Sequence, residues 1–229
     1  MSAPRLSSAE ARIARAYDGR DGALYDRLIA SPLGAELLFR VFWGASHRAV
    51  TGAIDQHLGD VRGQTVLDVP VGGGADLMSR AAWLRGARAV IGVDLSRDML
   101  HRAARRLPRH GLGAVRLIRA PVTALPLATG SIDLILAINS LHCFADLPGA
   151  LAELRRVAAP GARLVGSCVV SGASARADQR IRRMIDHGHF AAALDEFSVT
   201  AALAAAGFVP IHTERHGADL VFATAPVTR

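Results

Sequence analysis

The strongest constraint on the fold is a segment in which an apolar strand turns into a helix through three consecutive glycines. Residues 66–69 read Val-Leu-Asp-Val, a β-branched run that carries the acid Asp68. Gly72, Gly73 and Gly74 follow, and helix-forming residues resume directly after them. Glycines let the backbone approach a ligand at a distance where a Cβ would clash. The segment therefore predicts the first strand, turn and helix of a nucleotide-binding α/β domain.

A second acid ends the next predicted strand. Residues 89–94 read Ala-Val-Ile-Gly-Val-Asp and lie roughly twenty residues after the first acid. A carboxylate at this place can accept hydrogen bonds from both hydroxyls of a ribose. Asp94 is therefore the predicted ribose-binding residue.

The chain divides into two parts by its pattern. Residues 1–60 contain short helical segments and predict an N-terminal helical cap. From residue 61 to residue 229 strands and helices alternate, which predicts an α/β fold with a doubly wound, mostly parallel seven-stranded sheet. The last two strands form a pair that adds one antiparallel strand. Strands are predicted over residues 65–69, 89–94, 114–119, 131–138, 163–170, 208–214 and 220–224, and helices over 76–85, 97–107, 147–158, 176–190 and 199–206.

Charge alone does not indicate a nucleic-acid partner. The formal net charge is +7, and every basic residue is arginine, which we attribute to biased coding composition. A binding site for anions usually needs basic residues in a cluster. Four arginines do share one face of a predicted helix, and we interpret them as a solvated face: Arg102, Arg105, Arg106 and Arg109.

Cysteine usage and hydropathy favour a cytoplasmic protein. Cys143 and Cys168 lie far apart and form no metal or redox pattern, so free thiols in a reducing compartment are expected. The segment Met1–Glu10 is polar and lacks the apolar core of a signal peptide. No uninterrupted apolar stretch is long enough to span a bilayer.

The glycine segment departs from the pattern of dinucleotide-binding dehydrogenases. Those proteins use G-x-G-x-x-G and place a pyrophosphate at the helix N-terminus. Here Leu77 stands at the third glycine position, and Asp76 in the first helical turn would repel a pyrophosphate. A ligand with a cationic centre and no phosphate is compatible with both acids.

The ordered motifs resemble those of class I S-adenosylmethionine-dependent methyltransferases, and in particular the small-molecule group that includes the quinone-biosynthesis C-methyltransferases. Asp68, Gly72 and Gly74 match the family's acid-x-G-x-G-x-G motif, although Pro70 replaces its first glycine. Asp94 matches the second acid, and Gly161 matches the turn before strand five. The resemblance covers roughly residues 17–224 and implies the Rossmann-like methyltransferase fold, with S-adenosyl-L-methionine as the cofactor.

The resemblance also implies which residues bind the cofactor: Asp68, Pro70, Gly72, Gly74, Asp94, Leu95, Val122 and Asn139. Pro121 stands where relatives commonly carry an acid that accepts from the adenine amino group. Adenine is therefore expected to contact backbone groups near Val122 and the side chain of Leu95.

The methyl acceptor is expected beyond strand four, beside the sulfonium. His142 is the first predicted base because an imidazole can titrate near neutrality, and His187 is the second. Tyr17, Tyr25, Trp43 and His189 are the predicted acceptor-contacting residues. The nine histidines show no metal-ligand spacing, so no metal is expected.

The leading hypothesis is in-line methyl transfer to a small, fairly apolar metabolite. Pro70 and Pro121 leave open a catalytically silent protein that binds S-adenosylmethionine, and the arginine excess leaves open an RNA or protein methyltransferase. The absence of an appended recognition domain counts against a nucleic-acid acceptor. No sequence feature names the acceptor or the oligomeric state.

Overall fold

Four helices precede the sheet. The computed structural model describes residues 6–226, so the ends of the two predicted parts, residues 1–5 and 227–229, lie outside the described residues. The helices are α1 (Ser8–Tyr17), α2 (Arg20–Ile29), α3 (Pro32–Trp43) and α4 (His47–Gln56). Serine hydroxyls cap three of them: Ser7, Ser31 and Ser46 each accept from a backbone N–H in the first turn.

The seven strands form one sheet in the order β3-β2-β1-β4-β5-β7-β6. They are β1 (Thr65–Asp68), β2 (Ala89–Asp94), β3 (Arg116–Arg119), β4 (Ile132–Ala137), β5 (Ala158–Val169), β6 (Phe208–His216) and β7 (Asp219–Pro226). β1 to β5 pair in parallel, whereas β7 runs antiparallel to both β5 and β6. The predicted fold class, with a single antiparallel strand, is confirmed.

Helices cover both faces of the sheet. They are α5 (Ala75–Ser79), α6 (Ala81–Leu84), α7 (Arg97–Arg106), α8 (Leu147–Val157), α9 (Ala175–Asp186) and α10 (Glu196–Ala205), with short 3-10 helices at Leu107–His110 and Leu141–Cys143. The predicted helix over residues 76–85 is divided at Arg80, whose φ of −108° and ψ of 17° lie outside the helical range. No helix within residues 6–226 is long and apolar enough to cross a bilayer.

The core shows where the N-terminal segment belongs. Phe39, Trp43 and Ile54 pack in the same buried cluster as Val66 of β1 and Leu134 of β4. α4 also packs against β5, β6 and β7. This buried cluster therefore contains residues from both sides of the predicted boundary at residue 60, because α3 and α4 cover one face of the sheet. A separate buried cluster, which includes Leu67, Ile135 and Leu151, fills the other face.

Candidate functional site

A cavity of about 140 Å³ lies between helices α1 and α2 and the carboxyl ends of the parallel strands β1, β2 and β4. This edge of a doubly wound sheet is where such folds bind ligands, at the point where the strand order reverses. The reversal occurs between β1 and β4. Pro70, Gly72, Asp94, Leu95, Val122 and Asn139 all line the cavity, so the structure brings together six of the eight predicted cofactor residues.

The glycine loop shapes the cavity floor. Gly72 and Gly74 have φ values of 52° and 84°, in the left-handed region that favours glycine. Gly74 precedes the first turn of α5, and its N–H donates to the carbonyl of Val71 at 2.9 Å. Gly74 therefore sets the turn rather than lining the cavity.

Asp94 is held in place by the backbone of two loops. Its Oδ2 accepts from the N–H of Gly72 at 2.8 Å, and its Oδ1 accepts from the N–H of Ser96 at 2.7 Å. Burial raises the pKa of Asp94 to about 6, although these hydrogen bonds favour the charged form. The carboxylate is thus ionised and oriented at neutral pH.

Asp68 lies behind the cavity wall rather than on it. It is 1% exposed, and neither carboxylate oxygen has a hydrogen-bond partner. Burial, together with the negative charge of Asp76, raises the pKa of Asp68. A buried acceptor without a partner is costly, so this carboxyl group is suited to a ligand that brings a donor or a positive charge.

Asp76 gives the cavity a further acidic group. It lines the cavity in the first turn of α5, and its Oδ1 lies 3.1 Å from Nη1 of Arg80. Arg80 is only 6% exposed and also pairs with Asp55 at 2.8 Å. Because the arginine is held by both acids, it is not directed at a ligand phosphate. The arrangement agrees with the predicted preference for a ligand without a pyrophosphate.

The wall opposite the glycine loop is mainly apolar. Leu95, Met99, Pro121 and Val122 contribute to it, as expected for the surround of a planar base. Thr123 also lines the cavity, and its hydroxyl donates to Glu10 Oε1 of α1 at 3.0 Å. This contact joins the loop after β3 to the first helix of the cap.

Two tyrosines of the cap face the end of β4. Tyr25 accepts a hydrogen bond from Nδ2 of Asn139 at 2.7 Å. Asn139 has a φ of 50°, which is uncommon for a residue other than glycine and is typical of strained positions at functional sites. The hydroxyl of Tyr17 lies 3.5 Å from Sγ of Cys143, and the two tyrosine rings pack edge to face at 6.0 Å. Burial raises the pKa of both tyrosines.

Asp26 ties the cap to the glycine loop and was not predicted from the sequence. It is 4% exposed and pairs with Arg106 of α7 at 2.8 Å. A Cβ at Gly73 would overlap its carboxylate. Arg102, which was predicted to lie on a solvated face, is 12% exposed and lies 3.9 Å from the same carboxylate. The sequence feature that could have indicated a role for Asp26 is the repeated Tyr-Asp dipeptide, Tyr17-Asp18 and Tyr25-Asp26.

The structure places His142 away from the cavity. It is 1% exposed, its Nδ1 accepts from the N–H of Val169 at 3.0 Å, and its ring lies 4.0 Å from that of Phe190. Burial lowers the pKa of His142 to about 3, so the ring does not titrate near neutrality as the sequence suggested. This environment argues against the predicted role of His142 as a base.

Three other predicted acceptor-site residues also lie outside the cavity lining. Trp43 is 6% exposed and stacks on Phe190, which makes it a core residue. His187 is exposed at the end of α9. His189 is one layer behind the cavity, where its ring packs against that of Tyr17 at 5.4 Å and its carbonyl accepts from the hydroxyl of Tyr17 at 3.4 Å. Of the predicted acceptor contacts, only Tyr17 and Tyr25 line the cavity.

The acceptor end of the cavity offers no thiolate. Cys143 lines it beside Tyr17, and burial raises the pKa of this thiol to about 12. Together with the raised pKa values of the two tyrosines, this leaves positioning as the main contribution of these side chains. No group of three or more metal-ligating side chains occurs within residues 6–226.

Asp219, at the start of β7, is a second buried acid that sequence reasoning missed. It is fully buried, both oxygens lack a partner, and burial raises its pKa to about 8. The folded protein therefore binds a proton that the unfolded chain releases between about pH 4 and pH 8, so its stability falls as the pH rises through that window. An asparagine at this position does not ionise, so it would not cause this loss of stability at high pH.

We expect Asp219→Asn to match the wild type in free energy of unfolding at pH 4.5 and to exceed it by roughly 2–5 kcal/mol at pH 8.5. Urea unfolding at several pH values measures the difference. If the free energy of unfolding changed with pH in the same way in both proteins, Asp219 would be ionised throughout this pH range, which would contradict the prediction.

Residues 67–166 match the methyltransferase domain family. The demethylmenaquinone methyltransferase of Thermus thermophilus is 35% identical over 153 residues, which cover 67% of this chain and 60% of that protein. The chain covers between 29% and 60% of the length of the curated relatives it matches.

Solved structures share the fold at low identity. The geranyl diphosphate C-methyltransferase of Streptomyces coelicolor, solved with Mg²⁺, geranyl-S-thiolodiphosphate and S-adenosyl-L-homocysteine, superposes with a TM-score of 0.73 at 17% identity and covers 98% of this chain and 100% of that one. A SAM-dependent methyltransferase of Aquifex aeolicus gives a TM-score of 0.64 at 20% identity, covering 89% and 98%. Because it covers 98% of this chain, the likeness to the Streptomyces coelicolor structure extends beyond the sheet to the N-terminal helices.

Proposed function

We propose that this chain, which belongs to the class I S-adenosylmethionine-dependent methyltransferases, transfers a methyl group to a small, fairly apolar metabolite. The family match and the shared fold confirm the resemblance seen in the sequence. S-adenosylmethionine is the cofactor of this family, as the sequence predicted. The observation that carries the proposal is the cavity that joins Asp94, the glycine loop and Asn139 under the tyrosines of the cap.

The cavity residues fit the cofactor part by part. Asp94 is an oriented carboxylate suited to ribose hydroxyls. It accepts two hydrogen bonds from backbone N–H groups, and its remaining lone pairs can accept hydrogen bonds from a ligand. The unpartnered carboxyl of Asp68 suits a ligand ammonium group behind the glycine loop. Leu95 and Val122 offer apolar surface for adenine. Gly72 and Asn139 complete the site near the loop and the end of β4.

When bound, the cofactor supplies an activated methyl group on a sulfonium. The protein then has to align the acceptor and exclude water, and alignment alone can contribute on the order of 7–11 kcal/mol. Tyr17, Tyr25 and Asn139 form the part of the cavity where this alignment takes place. We assign Tyr17 and Tyr25 the acceptor-positioning roles predicted for them, and we add Asn139, whereas Trp43 and His189 lie outside the cavity lining.

The acceptor is proposed to reach its reactive state with little help from a protein base. His142 is buried with a pKa of about 3, and His187 is exposed at the end of α9, outside the cavity lining. An acceptor carbon, thiol or acidic hydroxyl that is nucleophilic without a strong base fits this environment best. The names demethylmenaquinone methyltransferase and geranyl diphosphate C-methyltransferase both denote small acceptors with apolar parts.

We further propose that the protein works in the cytoplasm and does not act on nucleic acids. Its two cysteines are free thiols, which suits a reducing compartment. Contacts at Glu10 and Asp26 attach the cap over the cavity, which suits a small acceptor.

The test is turnover with S-adenosylmethionine labelled in its methyl group, over a panel of hydroquinones, phenols, thiols and prenylated small molecules. We expect S-adenosylhomocysteine to form with at least one acceptor, and label to appear in that acceptor. Cofactor binding without turnover on any acceptor would instead favour a catalytically silent binding protein. No cofactor binding at all would contradict both functions.

A further inference from the structure

The hairpin formed by α2 and α3 has two chemically different sides. Its inner side contributes Tyr25, Asp26 and Ile29 to the cavity. Gly34 of α3 approaches α2 closely, since a Cβ there would meet the carbonyl oxygen of Leu28 at 2.6 Å. The two helices are therefore closely packed at the turn that joins them.

The outer side exposes large apolar side chains. Leu33, Leu37 and Val41 of α3 are 85%, 64% and 49% exposed and are spaced by four residues, which places them on one face of the helix. Leu24 of α2 is 60% exposed. It precedes the end of α2 by the same number of residues as Leu37 follows the start of α3, which places the two residues at the same level of the hairpin. We call these four residues the outer patch. Large exposed apolar groups that cluster in this way mark interaction surfaces.

A basic helix borders the outer patch. α9 packs beside α3, and Arg180 of α9 donates to the backbone carbonyls of Val41 and Phe42. Arg176, Arg182 and Arg183 of the same helix are exposed. α9 carries four arginines and two aspartates, so it places net positive charge next to the apolar face.

The charge beside the outer patch decides between two kinds of occupant. A two-fold contact with a second copy would cover the apolar patch but would not by itself use the arginines that border it. An apolar stripe with a basic border instead matches a surface that is negatively charged outside and apolar beneath.

We propose that the outer patch and the exposed arginines of α9 bind the surface of an anionic lipid bilayer. Leu24, Leu33, Leu37 and Val41 enter the boundary between head groups and acyl chains, while Arg176 and Arg183, which share the face of α9 that carries Arg180, contact the lipid phosphates. No helix within residues 6–226 could span a bilayer, so the attachment is peripheral. This surface goes beyond the proposed methyl transfer and does not depend on it.

One consequence rests on the proposed function. A membrane-bound hairpin whose inner side lines the cavity would let an apolar acceptor pass from the bilayer to Tyr25 without crossing bulk water. Asp26 and its partner Arg106 attach this same hairpin to the glycine loop, so the hairpin that contacts the lipid also closes the cofactor cavity.

The experiment is co-sedimentation of the full chain with sucrose-loaded vesicles. Vesicles of phosphatidylcholine with phosphatidylglycerol are compared with vesicles of phosphatidylcholine alone, at low and at physiological salt. We expect binding to the anionic vesicles that weakens with salt. Leu33→Gln/Leu37→Gln should lower the partition constant roughly tenfold or more, and Arg176→Gln/Arg183→Gln roughly tenfold at low salt.

Phe197→Gln is the matched control, because Phe197 is 80% exposed on α10 and lies outside the outer patch. It should bind vesicles as the wild type does. The proposal is overturned if the wild type does not bind anionic vesicles, or if Leu33→Gln/Leu37→Gln binds them equally well. It is also overturned if the wild type is a dimer without lipid and this double variant is a monomer. Titration of each variant with S-adenosylhomocysteine reports separately on the cofactor site.

Discussion

Asp26→Ala is expected to lower the free energy of unfolding by roughly 2–4 kcal/mol. Asp26 pairs with Arg106 at 2.8 Å, and its carboxylate lies 3.9 Å from Arg102. The substitution therefore leaves Arg106 without its partner and beside a second arginine. Breaking a buried ion pair is costly because the remaining charge stays desolvated, and the 28% exposure of the Arg106 side chain reduces this cost. Because Asp26 also lies against the glycine loop, affinity for S-adenosylhomocysteine should fall as well.

Urea unfolding and calorimetric titration measure the two effects. Asp60→Ala serves as the control for the removal of an aspartate from an ion pair, because Asp60 and Arg62 form an exposed pair at 2.9 Å. That variant should behave like the wild type. Equal stability of Asp26→Ala and Asp60→Ala would mean that the cap is not held by Asp26.

A double-mutant cycle tests the contact between Asp26 and Gly73 directly. Gly73 does not have a left-handed φ, so alanine is compatible with its backbone, but the added methyl would overlap the carboxylate of Asp26. Gly73→Ala should therefore weaken cofactor binding and stability in the wild type and have much less effect in Asp26→Ala. Strict additivity of the two substitutions would contradict the close packing of the cap on the loop.

Asp94→Ala is expected to weaken binding of S-adenosylmethionine and S-adenosylhomocysteine by roughly 1–3 kcal/mol, which corresponds to about 5- to 150-fold. Two effects contribute to the loss of affinity. The hydrogen bonds to the ribose are removed, and the N–H groups of Gly72 and Ser96 lose the acceptor that holds their loops in place. Isothermal titration calorimetry gives the dissociation constants.

The control is Asp133→Ala at the opposite end of the strands. Asp133 also accepts from a backbone N–H, that of Thr65 at 2.7 Å, and it pairs with Arg88. Its removal should affect stability but not cofactor affinity. Unchanged affinity in Asp94→Ala would show that the ribose is bound elsewhere.

The pH dependence of binding gives an independent check on Asp94. The pKa of this carboxyl is raised to about 6, mainly by burial, so it takes up a proton below about pH 6 and loses an acceptor for the ribose. The dissociation constant for S-adenosylhomocysteine should therefore rise as the pH falls from 7 to 5, up to roughly tenfold per unit at the acidic end. In Asp94→Ala this dependence should be largely absent.

Local sequence was sufficient to predict the floor of the site. Gly72, Gly74 and Asp94 are specified by a turn that needs positive φ values and by the end of a buried strand, and both signals span few residues. β2 has the bounds that the sequence predicted, Ala89–Asp94. The doubly wound, mostly parallel sheet followed from the alternation of strands and helices along the chain.

The acceptor side could not be predicted in the same way. His142 follows strand four as expected, but the 3-10 helix Leu141–Cys143 turns its ring toward Phe190 and the backbone of Val169. Cys143, which the sequence marked only as a free thiol, is the residue of this turn that lines the cavity. The direction of a side chain in so short an element depends on tertiary packing, which periodicity does not report.

Asp26 and Asp219 were missed for a related reason. The partners of Asp26 lie at Gly73 and Arg106, and Asp219 is buried at the start of β7 beside β5. Neither environment can be inferred from neighbours in the chain. The same holds for Arg102 and Arg106. Their spacing is typical of a solvated face, and only the folded structure shows that Asp26 of α2 lies beside both arginines.

The most direct measurement is a crystal structure of the chain with S-adenosylhomocysteine. We expect the ligand to occupy the cavity between the cap and the glycine loop, with its ribose on Asp94, its adenine beside Leu95 and Val122, and its amino-acid end toward Asp68. Density for the ligand anywhere else, or crystals grown at millimolar ligand in which this cavity stays filled by protein side chains, would contradict it.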